Sequence, residues 1–401
     1  MLKSKRFAPI FQQMQTCVLF VDDEPLILSL YEALSPDLGP NFSVRTARDG
    51  MEALRVMDQT EVQIVVSDLE MPEMPGGELL THVEKKYPDA MRVVISGYDD
   101  ELHVARCLTF GHRYLRKPVE PEALAETLKR LCKLRATLAD EKSKALLSSS
   151  DALPSPPETY LCLSDALQRD ESSTRVFAEI IESDPVLSAN LLEVVNSTAF
   201  GLSVQIDNIQ ELFEVIGVHV ARSLILSLHT KDFFQPRTRN RALFDELWEH
   251  ALETAARSRK LASLERLSFR ECQTCYVAGL LHDIGQFVLA AQVNYANAGE
   301  CPNRQALLKF EQEKLGITHS AIGAYLLGLW GLPEPVVITA ELHHTLEAVP
   351  THAYNPIIYV HAAENILKSS QSSELDLNFL RKAGKAERFA VWREALAQTR
   401  S

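Results

Sequence analysis

The strongest constraint on the fold is an alternation of apolar and amphipathic segments between residues 16 and 135. Short apolar runs such as CVLFV and VQIVVSD alternate with longer amphipathic stretches such as MEALRVM and GELLTHVEKKY, and the pair occurs five times. Unbroken apolar strands separated by helices are typical of a parallel sheet covered on both faces. We therefore predict an α/β doubly wound, five-stranded parallel sheet for residues 16–135.

The pattern changes after this segment. Residues 136–157 are rich in Ser and Pro and lack an apolar period, which predicts an interdomain linker. Helical patterning without strand alternation follows and predicts an all-α domain over residues 158–370. The tail over residues 371–401 begins polar and ends in a short amphipathic segment, so we expect it to be partly helical and to pack on the helical domain.

Charge and cysteine usage exclude several classes of protein. The formal net charge of -13 argues against broad electrostatic binding of nucleic acid or an anionic membrane. The apolar run from Cys17 to Val21 is too short to span a bilayer, so we expect no signal peptide and no membrane segment. Seven scattered cysteines suit reduced thiols in a cytoplasmic protein. For the C-x-x-C pair Cys272 and Cys275 we favour two buried thiols over a zinc or redox site.

Acidic residues stand at the carboxyl ends of two predicted strands. Asp22 and Asp23 follow the first strand and Asp68 ends the third, and the ligand site of such a sheet lies beyond these ends. Three crowded carboxylates need a cation, and oxygen ligands suit Mg²⁺. One carboxylate could then act as a nucleophile toward a phosphoryl group whose charge the ion neutralises.

Three further residues follow the later strands. Lys117, which precedes Pro118 after the fifth strand, is a natural second counter-charge. Ser96, at the end of the fourth strand, could bond an added phosphoryl oxygen, and Tyr114 on the fifth strand could rotate inward behind it. These residues, together with the acidic cluster, occur in order at successive strand ends, which favours a common site.

Each of these residues taken alone has a structural explanation. Asp23 stands where the N-cap of a helix is expected, Asp68 could cap a turn, and Lys117 could be solvated. Their joint occurrence is what favours the functional interpretation.

With these motifs, residues 16–135 resemble the receiver domain of two-component response regulators, which has a flavodoxin-like fold. The family pattern after the phosphoacceptor is Asp-x-x-Met-Pro-x-Met-x-Gly. The residues that match it are Asp68, Met71, Pro72, Met74 and Gly76. The resemblance implies Mg²⁺ as cofactor, phosphorylation of Asp68 by a sensor histidine kinase, and phosphoryl-contact or switch roles for Ser96, Tyr114 and Lys117. Related receivers often dimerise through the face bearing Tyr114 and Lys117, which leaves a homodimer open.

Histidines with one neighbouring Asp mark the helical part. The candidate metal ligands are His250, His282, Asp283, His319, His343 and His344. Side chains of this kind on the helices of a bundle core can build a site for Mn, Fe or Zn. A set of packed or solvated histidines is the alternative.

Residues from about 150 to 370 resemble the HDOD domain, a relative of HD-type metal-dependent phosphohydrolases. The resembling stretches are LPSPPET, IIESDPVLSANLLEVVNSTAFG, GLLHDIGQ and HSAIGAYLLGLWGLPEPVVITAELHH. In the second of these, Asp184 is expected to cap a helix that starts at Pro185. Active HD enzymes close the metal site with a downstream Asp, where this chain offers only His361 and Glu364. The cyclic-diguanylate phosphodiesterase branch has a lysine where this chain has Gln286.

These departures count against catalysis. We therefore expect a response regulator whose HDOD domain is non-catalytic and acts on an unidentified downstream protein partner. The alternative is a metal-dependent phosphohydrolase, acting on a nucleotide or cyclic dinucleotide, that the receiver regulates. A transcription factor is disfavoured, because no basic recognition helix is visible and the charge is acidic.

Overall fold

The computed structural model describes most of the chain in two compact units that divide near residue 155, and each is described by itself. The described residues are 15–97, 113–136, 157–168, 173–197, 200, 202, 204–235, 241–291, 295, 301, 304–346, 349, 356–366 and 377–397. The linker predicted over residues 136–157 lies almost wholly outside them, so its bounds stay a prediction.

The N-terminal unit is built on a five-stranded parallel sheet with the strand order β2-β1-β3-β4-β5. Its strands are β1 (Thr16–Val21), β2 (Phe42–Ala47), β3 (Ile64–Asp68), β4 (Met91–Ser96) and β5 (Arg113–Arg116). Its helices are α1 (Pro25–Ala33), α2 (Ser35–Leu38), α3 (Gly50–Gln59), α4 (Gly76–Lys86) and α5 (Pro121–Ala136). The predicted doubly wound parallel sheet is confirmed.

Apolar packing covers both faces of the interior strand β1. Successive residues of a strand point to opposite faces of the sheet. Leu19 and Val21 pack in an apolar cluster with Leu79 of α4. Phe20 points the other way and stacks on Tyr31 of α1, with ring centroids 4.4 Å apart. This burial explains why the first strand reads as an unbroken apolar run.

Every element described between residues 157 and 397 is helical, which confirms the predicted all-α domain. The helices are α6 (Glu158–Gln168), α7 (Thr174–Glu182), α8 (Pro185–Val195), α9 (Ile209–Ile216), α10 (Val218–Phe234), α11 (Arg241–Leu264), α12 (Phe269–Leu281), α13 (Ile284–Ala291), α14 (Arg304–Leu315), α15 (His319–Leu329), α16 (Glu334–Leu342), α17 (Pro356–Asn365), α18 (Leu377–Lys382) and α19 (Phe389–Ala397), with a 3-10 turn over Ala386–Arg388. Helix α12 packs against α10, α11, α16 and α17.

Two local sequence signals have the structural role that we expected. The Asp184 side chain accepts hydrogen bonds from the N–H groups of Val186 and Leu187, both at 3.0 Å, so it caps α8. Cys272 and Cys275 of α12 are buried in an apolar cluster that also contains Trp392. Two packed thiols therefore account for the C-x-x-C spacing.

One apolar stretch passes a test for membrane spans by length and composition alone. This stretch is Phe269–Ala291. Of the 18-residue segment within it that meets the test, 83% is buried inside the domain. The bent pair Ile209–Ile216 and Val218–Phe234 passes only if it is counted as one span. A largely buried apolar stretch is what the central helix of an all-α domain requires.

The C-terminal tail packs on the helical domain, as we predicted. Trp392 of α19 is fully buried beside Tyr359 of α17, with ring centroids 5.9 Å apart. Glu265, just after α11, accepts hydrogen bonds from Lys385 Nζ at 2.5 Å, Arg388 Nε at 2.6 Å and Trp392 Nε1 at 3.0 Å. A single, partly buried carboxylate thus fixes the tail to the end of α11.

We expect the substitution Glu265→Ala to lower the free energy of unfolding of the helical domain by about 2 to 3 kcal/mol, since three hydrogen bonds to a charged acceptor are lost. Burial would raise the pKa of Glu265, but the donors Lys385, Arg388 and Trp392 outweigh it and lower that pKa. The stabilisation is therefore present above the unfolded-state pKa and is lost as the pH falls through the folded-state pKa.

Urea unfolding followed by tryptophan fluorescence measures this effect at neutral and acidic pH, because all three tryptophans lie in the helical domain. The exposed Glu387 of the same tail segment provides the control Glu387→Ala, which should change stability little. Equal destabilisation by both variants would contradict the role of Glu265.

Candidate functional sites

Three carboxylates lie together beyond the carboxyl ends of β1 and β3. Asp22, Asp23 and Asp68 each offer an oxygen, and these atoms lie within 4.8 Å of one another. Val21 of β1 pairs with Ser67 of β3, so the chain leaves both strands at the same level. The strand order reverses between β1 and β3, which is where doubly wound sheets bind ligands. This oxygen set fits Mg²⁺.

Lys117 joins the acidic cluster. Its Nζ donates to Asp22 Oδ2 at 2.9 Å and contacts Asp68 Oδ2. Its backbone N–H donates to the carbonyl of Ser96 at 2.8 Å, which joins the segments after β4 and β5. Burial would lower the pKa of Lys117, but the hydrogen bonds to Asp68 and Asp22 outweigh it and raise that pKa. The ammonium group therefore stays charged beside Asp68.

The backbone orients the carboxylate of Asp68. Its Oδ1 accepts hydrogen bonds from the N–H groups of Leu69 at 2.6 Å and Glu70 at 3.3 Å, while Oδ2 contacts Lys117. The Asp68 side chain keeps 11% of its surface exposed. A carboxylate that is held in place and remains open to solvent can act as a nucleophile toward a phosphoryl donor.

The glycine that ends the motif after Asp68 has a steric role. The Gly76 N–H donates to the carbonyl of Leu69 at 2.9 Å. A Cβ built on Gly76 would lie 1.8 Å from the carbonyl oxygen of Asp68. Helix α4 can therefore begin against the end of β3 only if residue 76 has no side chain.

We expect Gly76→Ala to destabilise the N-terminal domain by about 3 kcal/mol or more, because the backbone of β3 must shift to admit the methyl group. Native-state hydrogen exchange of the β1 and β3 amides measures this loss. Gly97→Ala is the matched control, since its Cβ would meet only Lys117 Cβ at 3.9 Å. Unchanged exchange in Gly76→Ala would contradict the steric role.

Ser96 and Tyr114 are the two remaining predicted residues of this site, and the structure describes the side chain of Ser96 only. Ser96 ends β4 and is buried, with 1% of its surface exposed. Tyr114 lies on β5 opposite Val94, but its side chain is outside the described residues. Its inward rotation stays a prediction.

The helical domain brings all six predicted metal-binding residues together and adds a seventh. Their ligand atoms form two overlapping groups, and within each group the atoms lie within 4.8 Å of one another. The first group is Asp283, His319, His343 and His344, and the second is His250, His282, Asp283 and Glu364. Asp283 belongs to both groups.

The two oxygens of Asp283 face different groups. Oδ1 lies 3.1 Å from Nε2 of His343 and 3.4 Å from Nε2 of His319. Oδ2 lies 3.2 Å from Nε2 of His282 and 3.8 Å from Nε2 of His250. A carboxylate placed between two sets of imidazoles is suited to bridge a pair of metal ions.

Glu364 completes the second group from helix α17. Its Oε1 lies 3.6 Å from Nε2 of both His250 and His282. Its Oε2 is buried and has no hydrogen-bond partner among the described residues. Glu364 thus stands where a downstream Asp was expected, and its longer side chain reaches the histidines. The second group therefore contains two carboxylates, Asp283 and Glu364, although the expected Asp is absent.

Backbone carbonyls fix the orientation of two imidazoles. Nδ1 of His282 donates to the carbonyl of Gly279 at 2.8 Å, and Nδ1 of His343 donates to the carbonyl of Ala340 at 2.9 Å. Nε2 of each ring then points into the cluster, which is the orientation of metal-binding histidines. Nε2 of His282 is buried, and within the described structure it makes no well-aligned hydrogen bond, although Asp283 Oδ2 lies 3.2 Å away. This donor set fits a metal ion.

Glu311 supports His319 in the same way, and no motif in the sequence pointed to Glu311. Both carboxylate oxygens lie 2.8 Å from Nδ1 of His319, and Oε2 also accepts the His319 N–H at 2.9 Å. Tyr295 donates its hydroxyl to Glu311 at 2.6 Å. A carboxylate behind a ligating imidazole orients the ring and raises its basicity.

The charges of the cluster depend strongly on one another. Burial would lower the pKa of His282 and His319, but the neighbouring carboxylates raise these pKa values to about 10 and about 9. Burial would raise the pKa of Asp283 and Glu364, but the imidazoles, and Arg304 beside Glu364, hold both pKa values well below the ordinary range. Metal ions would replace protons here, since imidazoles bind metals in the deprotonated form.

Family models match both parts of the chain. The model of the response regulator receiver domain matches residues 18–129. The model of the HDOD domain matches residues 153–346. The two matches are consecutive and fall on the α/β unit and the helical unit, respectively.

Individual relatives are similar to parts of this chain. A protein of Treponema pallidum (strain Nichols), described only as uncharacterized, is 26% identical over 270 residues, which are 66% of this chain and 50% of that protein. A transcriptional regulatory protein of Bacillus subtilis (strain 168), YhcZ, is 39% identical over 85 residues, which are 21% of this chain and 40% of that protein. The chain thus spans half or less of these curated relatives.

A solved structure also resembles the α/β unit. It is the signal receiver domain of an HD domain-containing protein from Pseudomonas fluorescens Pf-5, which is 27% identical with a TM-score of 0.29. The match covers 31% of this chain and 98% of that domain.

Proposed function

We propose that this chain, which joins a response regulator receiver domain to an HDOD domain, is a phosphorelay response regulator whose Asp68 accepts a phosphoryl group from a sensor histidine kinase. The observation that carries the proposal is the grouping of Asp22, Asp23, Asp68 and Lys117 where the strand order reverses. Asp22, Asp23 and Asp68 would hold Mg²⁺, which supplies charge neutralisation for the incoming phosphoryl group.

The protein's own residues have separate tasks in this reaction. An oxygen of Asp68 forms the bond to phosphorus as the bond to the donor breaks. Lys117 neutralises charge on the added oxygens, and the Ser96 hydroxyl donates to one of them. Because the backbones of Ser96 and Lys117 are hydrogen-bonded, a change at Asp68 reaches both segments after β4 and β5.

In this proposal the phosphorylated receiver alters how the HDOD domain contacts a downstream protein partner. Hydrogen exchange of the full chain tests it, with Mg²⁺ present and with or without acetyl phosphate as phosphoryl donor. We expect changed protection in residues 157–397 of the wild type and no change in Asp68→Asn. A phosphorylated wild type with unaltered protection in the helical domain would contradict regulation by the receiver.

A second candidate function is favoured by the cluster around Asp283. We propose that the HDOD domain is a metal-dependent phosphohydrolase acting on a nucleotide or cyclic dinucleotide. The position of Asp283 between the two groups and the carboxylate of Glu364 support it. Metal ions at this cluster would supply an activated water and a binding site for phosphate oxygens. Absence of turnover after addition of Mn²⁺, Fe²⁺ and Zn²⁺ would leave a domain that acts through binding alone.

We also propose a cytoplasmic location, which the cysteines support, since those of the described residues form no disulfide. A homodimer through the face that bears Tyr114 and Lys117 stays a prediction, and gel filtration of phosphorylated and unphosphorylated protein would test it.

A further inference from the structure

Glu311 and Tyr295 form a buried support behind one histidine of the first group of metal ligands. Both oxygens of Glu311 lie 2.8 Å from Nδ1 of His319, and the Tyr295 hydroxyl donates to Glu311 at 2.6 Å. Tyr295 is 3% exposed, and Glu311 and His319 are fully buried. These contacts hold Nε2 of His319 toward Asp283 Oδ1, which lies 3.4 Å away.

The backbone around His319 is fixed as well. Oε2 of Glu311 accepts the His319 N–H at 2.9 Å. A Cβ built on Gly285 of α13 would lie 2.0 Å from the carbonyl oxygen of His319, so α13 and the start of α15 touch through their backbones. Asp283 stands two residues before Gly285 and is placed beside His319 by this contact. The first group is therefore largely in position before any ion binds.

The second group is less fixed. The backbone carbonyl of Gly279 anchors His282 through Nδ1. His250 keeps 30% of its side chain exposed, and its contacts with Asp283 and Glu364 are both made through Nε2. Within the described residues no hydrogen bond fixes Nδ1 of His250.

The charges of the second group do not make up for this freedom. The group has two carboxylates, whereas the first group has one. However, Oε1 of Glu364 contacts Nη2 of Arg304, so a cation already neutralises one of the two. An ion in the second group has to compete with that guanidinium group. In the first group, Glu311 adds negative charge behind the ligand His319.

Ligands that are held in place lose less freedom when they bind, and a carboxylate behind a ligating imidazole strengthens metal binding. We infer that Glu311 makes the two metal positions unequal, so that the first group retains its ion and the second group holds an ion that exchanges with free metal. This inference rests on the second candidate function. It assigns Glu311 as a positioning residue for one half of the metal centre.

Manganese binding by the full chain tests the inference one group at a time. All proteins carry Asp68→Asn, which weakens the cation site of the receiver. His250→Ala disables the second group and His344→Ala the first, and both leave the contact between Glu311 and its histidine in place. Mn²⁺ is titrated into each background, and electron paramagnetic resonance counts the free ion. Glu311→Gln is compared with Glu313→Gln, which changes a 63% exposed carboxylate of the same helix.

We expect the remaining ion to bind at least about tenfold more tightly in the His250→Ala background than in the His344→Ala background. In the first of these backgrounds Glu311→Gln should weaken binding about ten- to a hundredfold. Tyr295→Phe should weaken it less, because the carboxylate remains. In the His344→Ala background Glu311→Gln should change little, and Glu313→Gln should match the parent in both.

Three results would overturn the inference alone. They are equal affinities in the two backgrounds, binding in His250→Ala that is insensitive to Glu311→Gln, and equal weakening by Glu311→Gln in both backgrounds. In the last case Glu311 would act through the fold and not through His319. If the protein with both histidines intact takes up no Mn²⁺ at the cluster, the second candidate function fails, and the inference fails with it.

Discussion

The substitution Asp68→Asn should abolish phosphoryl incorporation from acetyl phosphate in the presence of Mg²⁺. The amide has no charged oxygen that could attack phosphorus, and it weakens the cation site shared with Asp22 and Asp23. The fold should persist, because Asn can still accept the N–H of Leu69 and Lys117 keeps its hydrogen bond to Asp22. Intact-protein mass spectrometry measures the added phosphoryl group directly.

A matched control lies two residues further along the chain. Glu70 is exposed and contributes only its backbone N–H to Asp68, so Glu70→Gln should incorporate phosphate as the wild type does. Incorporation that persists in Asp68→Asn would exclude Asp68 as the only acceptor. Asp22 or Asp23 would then have to be tested.

The substitution Asp283→Ala should remove metal from both ligand groups of the helical domain. Each group depends on one of the two Asp283 oxygens, and no other residue belongs to both. We expect about two ions of Mn, Fe or Zn per wild-type chain and a loss of affinity of at least about a hundredfold in the variant. Elemental analysis of the purified proteins gives the metal content.

Two further variants make this result specific. His250→Ala touches only the group that contains Glu364, so it should release about one ion of the two. His229 lies outside both groups, so the His229→Gln variant should retain the full metal content. Wild-type protein without metal, or equal losses in His250→Ala and His229→Gln, would contradict the two-group arrangement. Circular dichroism of Asp283→Ala excludes unfolding as the cause of its metal loss.

The grouping of Asp22, Asp23, Asp68 and Lys117 could be predicted from the sequence because it depends on short-range signals. Asp22, Asp68, Ser96 and Lys117 stand at the ends of parallel strands, and topology brings such ends to one edge of the sheet. Strand pattern therefore decides their proximity before any packing is known. The steric demand at Gly76 could not be derived in this way, since it comes from the angle at which α4 meets β3.

The grouping of the candidate metal ligands was predictable only in part. His282, Asp283 and the paired histidines belong to recognisable motifs, whereas Glu364, Glu311 and Arg304 do not. Helical periodicity shows which face of a helix is apolar, but not which other helix that face meets. We expected the missing Asp to count against catalysis, and this expectation stays a prediction. The structure adds that Glu364 of α17 lies beside His250 and His282.

The position of Glu364 has a consequence for how much chain makes a working HDOD unit. The family match ends at residue 346, before helix α17 begins at Pro356. A fragment cut at that residue would lose a ligand of the cluster, and with it the tail that Glu265 holds in place. The family match is therefore shorter than the segment that builds the cluster. Comparisons of separately expressed domains should therefore extend to at least residue 397.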